Sequence, residues 1–472
     1  MTRQAKSTAA VMAALLAACF GFQLNASMLS PALVLMEKEL NTTAATIGLS
    51  QTVFFTAAAL FSLFLPRLGD MIGRRKLLVA MMLVTAVGCV ISALSGVLGS
   101  VPLLFVGRAV QGIAGPTVPL CLIILRVAVP DPKRYATLLG VITAVNGGIA
   151  GVDAIAGGWL AQNFGFTSVF WTMAVVAVLA AVAVGALTDE SHVATPEPMD
   201  WLGVTLLVVA VGAALLAVNE AGLLAAARWW LVATLIVVAA VAFVAFWKQE
   251  DRTPHPLVTT THLRSRATWA LLLTTTLTMT GVFAVMNGIV PALAQDETLG
   301  IGLGAEVVSF YTLTPYAIAG LLMGPLAGAL GGRLGFRLIL RIGLVGTLVG
   351  LAALLFTLQS PSVWLLLAIS IAVGITYAGT ANIMLNGLGI VLSPPDNPGY
   401  LPGLNAGAFN LGAGVSFAVL YAVVAAMGGG ARGYGGGLIA GIVLILCAFA
   451  ASMLIPKPVE QPDPAVEQTA AA

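Results

Sequence analysis

Arg108 and Asp153 are the residues from which chemistry is most readily drawn, because each stands as the lone charge in an apolar run of roughly 20 residues or more. An unpaired ion in hydrocarbon costs about several kcal/mol, so each must have a partner or share a water-filled space. Counted inward from the ends of their runs, each lies about seven residues deep, roughly 10 Å at 1.5 Å per residue. Two readings follow. In one, the two form a fixed ion pair that staples neighbouring segments. In the other, Asp153 binds and releases a proton and Arg108 tunes its affinity, because burial favours the neutral acid and a nearby guanidinium favours the anion.

A second cluster is Pro66–Lys76, PRLGDMIGRRK, where one acid, close glycines and four bases separate two apolar runs. Asp70, with Gly73, Arg74 and Arg75, reads as a conformational latch, the carboxylate meeting a helix N-terminus or a neighbouring base in one state and leaving it in another. The plainer reading is a turn with bases that fix topology. Uncharged polar residues inside the runs are candidates for a cavity: Gln23, Asn25, Gln51, Gln111 and Asn146 early in the chain, then Asn287, Tyr311, Tyr316, Tyr377, Asn382, Asn386, Asn405 and Asn410. Amides and phenols suit a neutral or weakly polar organic molecule, although such residues also serve as helix-to-helix contacts.

The elements that position these groups follow from composition. The chain has 59% hydrophobic and only 8% charged residues, with a mean hydropathy of +1.02, more apolar surface than a soluble fold of this length hides. Backbone groups in lipid must be satisfied within a segment, so the fold class is all-α and polytopic. The first apolar run reaches about Pro31, and others stand at about 46–66, 77–97, 102–128, 136–160, 167–188, 201–219, 229–247, 267–293, 307–330, 337–358, 362–390, 401–427 and 433–455. Fourteen spans put both termini on one side. With that side cytoplasmic, all 21 bases fall in cytoplasmic loops or helix ends except Lys38, Arg228, Arg432 and the embedded Arg108.

An internal echo supports two halves: Gly73-Arg74-Arg75-Lys76-Leu77 follows the second span, and Gly335-Phe336-Arg337-Leu338 the tenth. The expected organisation is a six-helix bundle over 1–188, an acidic loop, two inserted helices and a linker over 189–266, a second six-helix bundle over 267–455 and a disordered tail over 456–472. The cysteines Cys19, Cys89, Cys121 and Cys447 read as small core residues inside spans, and Leu16 to Cys19 mimics a lipoprotein cleavage site within a run that continues well past it. His192, His255 and His262 lie in or beside polar loops and suggest no metal site. Gly112 and Gly115, Gly147 and Gly148, Gly157 and Gly158, and Gly324 and Gly328 suggest close helix contacts.

The motifs in combination resemble the major facilitator superfamily, and more narrowly its fourteen-helix drug:proton antiporter branch. Its loop signature G-x-L-a-D-x-x-G-R-R/K-R/K is matched by Leu68, Asp70, Gly73, Arg74, Arg75 and Lys76, with Pro66 in place of the first glycine. R-x-x-q-G appears as Arg108, Gln111 and Gly112, the branch's D-W-x-G as Asp200-Trp201-Leu202-Gly203, and its E-x-x-x-x-h-P-L as Glu250 to Leu257. Two departures stand out. The antiporter signature G-P-x-x-G-G of the fifth helix is replaced by Asp153-Ala154-Ile155-Ala156-Gly157-Gly158, and Gly21 to Pro31 carries no acid where the branch often has one.

The resemblance implies a major facilitator fold of two six-helix bundles plus two inserted helices, and a secondary transporter exporting a small organic compound against protons by alternating access, from a bacterial cytoplasmic membrane. Loss of the antiporter motif keeps open a proton-substrate uptake symporter, and a non-transporting sensor or assembly protein of the same fold is a further alternative. No nucleophile-base constellation suggests an enzyme, and no GxxxxGK(S/T) loop suggests ATP. The expected energy source is therefore a proton gradient with no cofactor; sodium would need several convergent oxygens. The expected partners are a small organic substrate and membrane lipid, with no nucleic acid and no obligatory protein partner.

Overall fold

The computed structural model describes residues 7–129, 131–191, 198–223, 227–254, 256, 260–299, 301–394 and 400–457, with the side chains of 132–133, 136–137, 140 and 143–150 outside the description. His192, His255, Leu257, most of the tail and the side chain of Asn146 thus lie outside the described residues.

Thirteen helices among the described residues are long and apolar enough to cross a bilayer: α1 Thr8–Glu39, α2 Ala44–Ile72, α3 Arg74–Leu98, α4 Val101–Ala128, α6 Phe166–Leu187, α7 Trp201–Ala221, α8 Trp229–Glu250, α9 Arg266–Gln295, α10 Ala305–Leu334, α11 Phe336–Thr357, α12 Val363–Val391, α13 Tyr400–Ala426 and α14 Gly430–Ser452. Between α4 and α6 runs the 33-residue helix α5, Pro132–Phe164, which completes the fourteen. Several begin on a side-chain cap that satisfies an otherwise orphaned N–H: Ser7 on Ala10, Thr43 on Thr46, Asp200 on Gly203 and Ser265 on Thr268.

Boundaries that bear on the site differ from expectation, and α2 runs on through Pro66 and Asp70 to Ile72. α1 does not stop at Pro31 but passes through a 3-10 turn at Ser30–Ala32 and on to Glu39, since a proline at the start of a helical turn gives up no hydrogen bond. α5 runs to Phe164, so Asp153 lies about 11 residues from its end and Arg108 about seven from the start of α4, roughly 16 Å against 10 Å along their helices. The expected match in depth does not hold when counted this way.

In the first bundle α1 packs on α5 and α6, α3 on α4 and α6, and α2 on α4. In the second, α9 packs on α13 and α14, α11 on α12 and α14, and α10 on α12. The inserted pair α7 and α8 pack chiefly on each other, with α7 touching α2 and α13. The bundles meet chiefly along two seams, α2 with α13 and α5 with α10, with smaller contacts from the end of α1 to α9 and α10 and from α2 to α9.

Both seams are tightest toward the face opposite the chain termini. A Cβ on Gly48 would stand 2.8 Å from the Tyr421 ring, and one on Gly158 would stand 2.0 Å from the Ala305 carbonyl oxygen. Ser309 donates to the Ala154 carbonyl at 3.0 Å, Thr314 to that of Gly151 at 2.6 Å and Thr52 to that of Gly414 at 3.1 Å. Nearer the terminal face on α10, a Cβ on Gly328 would meet nothing within 4 Å, and one on Gly324 only Ile383 of the same bundle at 3.8 Å. Those two glycines are therefore not the close helix contacts expected of them, whereas Gly112 and Gly115 press on the α2 backbone near Ala58 and Gly157 on the Met28 carbonyl. Cys19, Cys89 and Cys121 are buried; Cys447 is exposed on α14, as a small apolar residue facing lipid can be.

Candidate functional site

Arg108 is fully buried where α1, α2, α3 and α4 converge. One terminal nitrogen donates to Gln111 Oε1 at 2.7 Å, the other to Gln51 Oε1 at 2.7 Å, and both reach the Asn25 carbonyl at 3.2 Å. Gln111 passes its amide on to the Gly88 carbonyl at 3.0 Å and Ser92 at 2.8 Å, and the Cys89 thiol donates to Asn25 Oδ1 at 3.4 Å. The guanidinium lies over the Phe54 ring, 4.2 Å from its centroid. Small residues make this crossing possible, since a Cβ on Gly88 would fall 2.8 Å from the Gln111 nitrogen.

Asp153 is also buried, at 3% exposure, but it does not meet Arg108. Its Oδ2 accepts from Ser27 at 2.5 Å, and its Oδ1 has no hydrogen-bond partner among the described residues. The Ser27 hydroxyl also bonds Gln23. Asn25, which holds the base, and Ser27, which holds the acid, lie two residues apart on α1, so this turn joins the two groups. The fixed ion pair is thereby replaced by a base and an acid held separately along one turn of α1.

The second bundle supplies a different polar set. α9 and α12 each widen into a π-helical turn, Val285–Ile289 and Gly374–Ala381, irregularities that recur where helices carry function. These turns hold Asn287 and Tyr377. Tyr377 donates to Met279 Sδ and stacks on Tyr316, centroids 6.5 Å apart, while Asn405 accepts from Thr275 at 2.6 Å. Asn410 reaches across the seam to Ser62 at 3.4 Å. Tyr311 is placed elsewhere, edge-on against the exposed Trp364, and Asn382 and Asn386 bond each other along one face of α12.

On the terminal face Asp70 pairs with Arg74 at 2.7 Å. Sequence reading missed the acid that caps α3: Glu190, beyond α6, accepts from the backbone N–H of Arg75 at 3.0 Å and of Lys76 at 3.2 Å. Its signal was the acidic loop after the sixth span. Arg75 also donates to the Gly185 carbonyl. The internal echo has a matching role, with Arg337 on the Ile455 carbonyl at 2.8 Å and Arg341 on that of Ser452 at 3.2 Å, binding α11 to the end of α14. Arg67 ties the insert down through the carbonyls of Pro256 at 2.7 Å and Pro198 at 3.1 Å.

Comparison with known proteins adds the following. The family model described as Major Facilitator Superfamily matches residues 15–417 and 271–471. A uridine/deoxyuridine transporter of Lactococcus lactis subsp. cremoris is 56% identical over 458 residues, 95% of each chain. The multidrug resistance protein Stp of Mycobacterium tuberculosis is 27% identical over 390 residues, 81% of this chain and 68% of its own. Among solved structures, a mutant form of the nucleoside transporter NupG is similar with a TM-score of 0.65 at 13% identity, over 95% of this chain and 100% of that one, a likeness of fold.

Proposed function

The chain belongs to the major facilitator superfamily and is a multi-pass membrane transporter, and we propose that it carries pyrimidine nucleosides inward together with protons. The observation that carries the substrate is the 56% identity with a uridine/deoxyuridine transporter along nearly the whole of both chains. Drug export, which the fourteen-helix pattern suggested, lacks such support: the multidrug relative shares 27% over a shorter stretch. The polar groups agree with a neutral polyhydroxylated substrate, being amides, hydroxyls and phenols in the second bundle and, in the first, a cation whose two terminal nitrogens are already taken by amide oxygens.

Asp153 is the proton carrier in this reading. It is a buried acid with one oxygen on Ser27 and one unpartnered, beside the α5–α10 seam where Ala154 meets Ser309. A change of seam geometry alters its access to water and thus its protonation. The bias of bases supports a cytoplasmic terminal face, and in that reading the seam contacts close the described state toward the outside. The test is uptake of labelled uridine into proteoliposomes with the exterior acidified. The parent accumulates uridine and loses it on adding a protonophore. Asp153→Asn, which keeps the Ser27 contact, still exchanges uridine across the membrane but no longer accumulates it. Accumulation by the variant at the parental level removes Asp153 from coupling, and a parent that moves other solutes but no nucleoside removes the substrate.

A further inference from the structure

One ring contact among the described residues joins the two bundles: Phe55 of α2 meets Phe283 of α9 edge-on, with centroids 5.0 Å apart and planes at 83°. Phe55 is about 11 residues from the start of α2 and Phe283 about 12 from the end of α9, so both stand roughly 17 Å in from the face opposite the termini, close to mid-bilayer. Phe55 is buried, whereas Phe283 is the one residue between Thr278 and Pro291 that retains exposure. Its ring touches the other half at Phe55 and its own half at Phe417, centroids 6.1 Å apart.

Each ring has an amide one helical turn nearer the opposite face: Gln51 four residues before Phe55 and Asn287 four residues after Phe283. Gln51 is 3% exposed; its oxygen is taken by Arg108, and its Nε2 donor has no partner among the described residues. Asn287 gives its Nδ2 to the Phe283 carbonyl at 3.0 Å, which leaves its Oδ1 free among the described residues. One unused donor and one unused acceptor thus accompany two aromatic rings on the two sides of a seam that must part in transport.

We infer that Phe55 and Phe283 form a clamp for the pyrimidine base, which enters between them as the bundles part, with the amides of Gln51 and Asn287 reading its imide edge. The clamp rests on the nucleoside reading above. The chemistry is complementary: a flat π-system replaces the ring-to-ring contact, and uracil offers a carbonyl acceptor for the Gln51 N–H beside an N3–H donor for the Asn287 oxygen. Phe54, the neighbour of Phe55 with centroids 4.9 Å apart, carries Arg108 on its face. Occupancy of the clamp is therefore felt by the same network whose Asn25 lies two residues from the partner of Asp153.

The experiment is equilibrium binding of labelled uridine to purified full-length protein, with competition by ribose and by 3-methyluridine. Phe283→Leu keeps apolar bulk but removes the π-face, and weakens uridine binding about tenfold, while Phe283→Tyr retains it. 3-Methyluridine, lacking the N3 donor, competes poorly in the parent, and in Asn287→Leu it competes as well as uridine does. Ribose does not compete. Thermal unfolding establishes that each variant is folded. Parental affinity in folded Phe283→Leu, or effective competition by 3-methyluridine in the parent, overturns the clamp and leaves the nucleoside reading standing. A folded parent that binds no nucleoside removes both.

Discussion

Arg108 keeps its charge in an apolar setting on neutral oxygens, from Gln111, Gln51 and the Asn25 carbonyl. Only a planar fork of donors reaches all three at once, so Arg108→Lys, although it conserves charge, strands at least one amide oxygen and lowers stability by about 1–3 kcal/mol. Thermal unfolding in detergent measures this, and an unchanged midpoint refutes the fork. At this scale the sequence was legible where charge is costly, at Arg108; Gln111, Gln51 and Asn25 were singled out as cavity candidates, and the structure turns their oxygens onto Arg108 instead. The partner of Asp153 was not legible, because a serine in an apolar helix has no marking. Phe55 and Phe283 were invisible for the same reason, being two among 19 phenylalanines.

The helix starts after the second and tenth spans share one device. Gly73 has φ 110° and ψ 125°, Gly335 φ 93° and ψ 132°, a region that a residue with a Cβ enters at a cost of about 1–3 kcal/mol. Each glycine ends one long helix and begins the next, bringing the following arginines onto the last helix of its own bundle. The repeated glycine and base spacing was legible for this reason, while the surroundings of the two glycines differ: a Cβ on Gly73 would fall 2.7 Å from the Glu190 carboxylate, and one on Gly335 would meet nothing within 4 Å. Gly73→Ala therefore destabilises more than Gly335→Ala, by about 1 kcal/mol or more. Adding Glu190→Ala to Gly73→Ala relieves the clash and narrows the difference measured by thermal unfolding; equal losses from the two glycines show that Glu190 yields freely.

Across the whole molecule, the described state is set by where the bundles touch. Fourteen spans and two halves were legible because hydrophobic length and base placement are one-dimensional signals, whereas which end of a seam is shut depends on contacts between residues far apart in the chain. Gly158 and Ala305 are such a pair. A Cβ at Gly158, 2.0 Å from the Ala305 carbonyl, has no room while α5 and α10 are closed, so Gly158→Ala shifts the population toward a state parted at that end. Ser309, fully buried and bonded to Ala154 in the same seam, is the reporter position. In intact cells an impermeant maleimide modifies Ser309→Cys slowly in the parent background and faster when Gly158→Ala is added, by about fivefold for each 1 kcal/mol of shift. The reagent reaches the cysteine from outside only if the face opposite the termini is external, so the same labelling tests orientation. Acceleration from the cytoplasmic side alone, in inverted vesicles, reverses the assignment of faces, and no acceleration from either side shows that the seam absorbs the methyl group without opening.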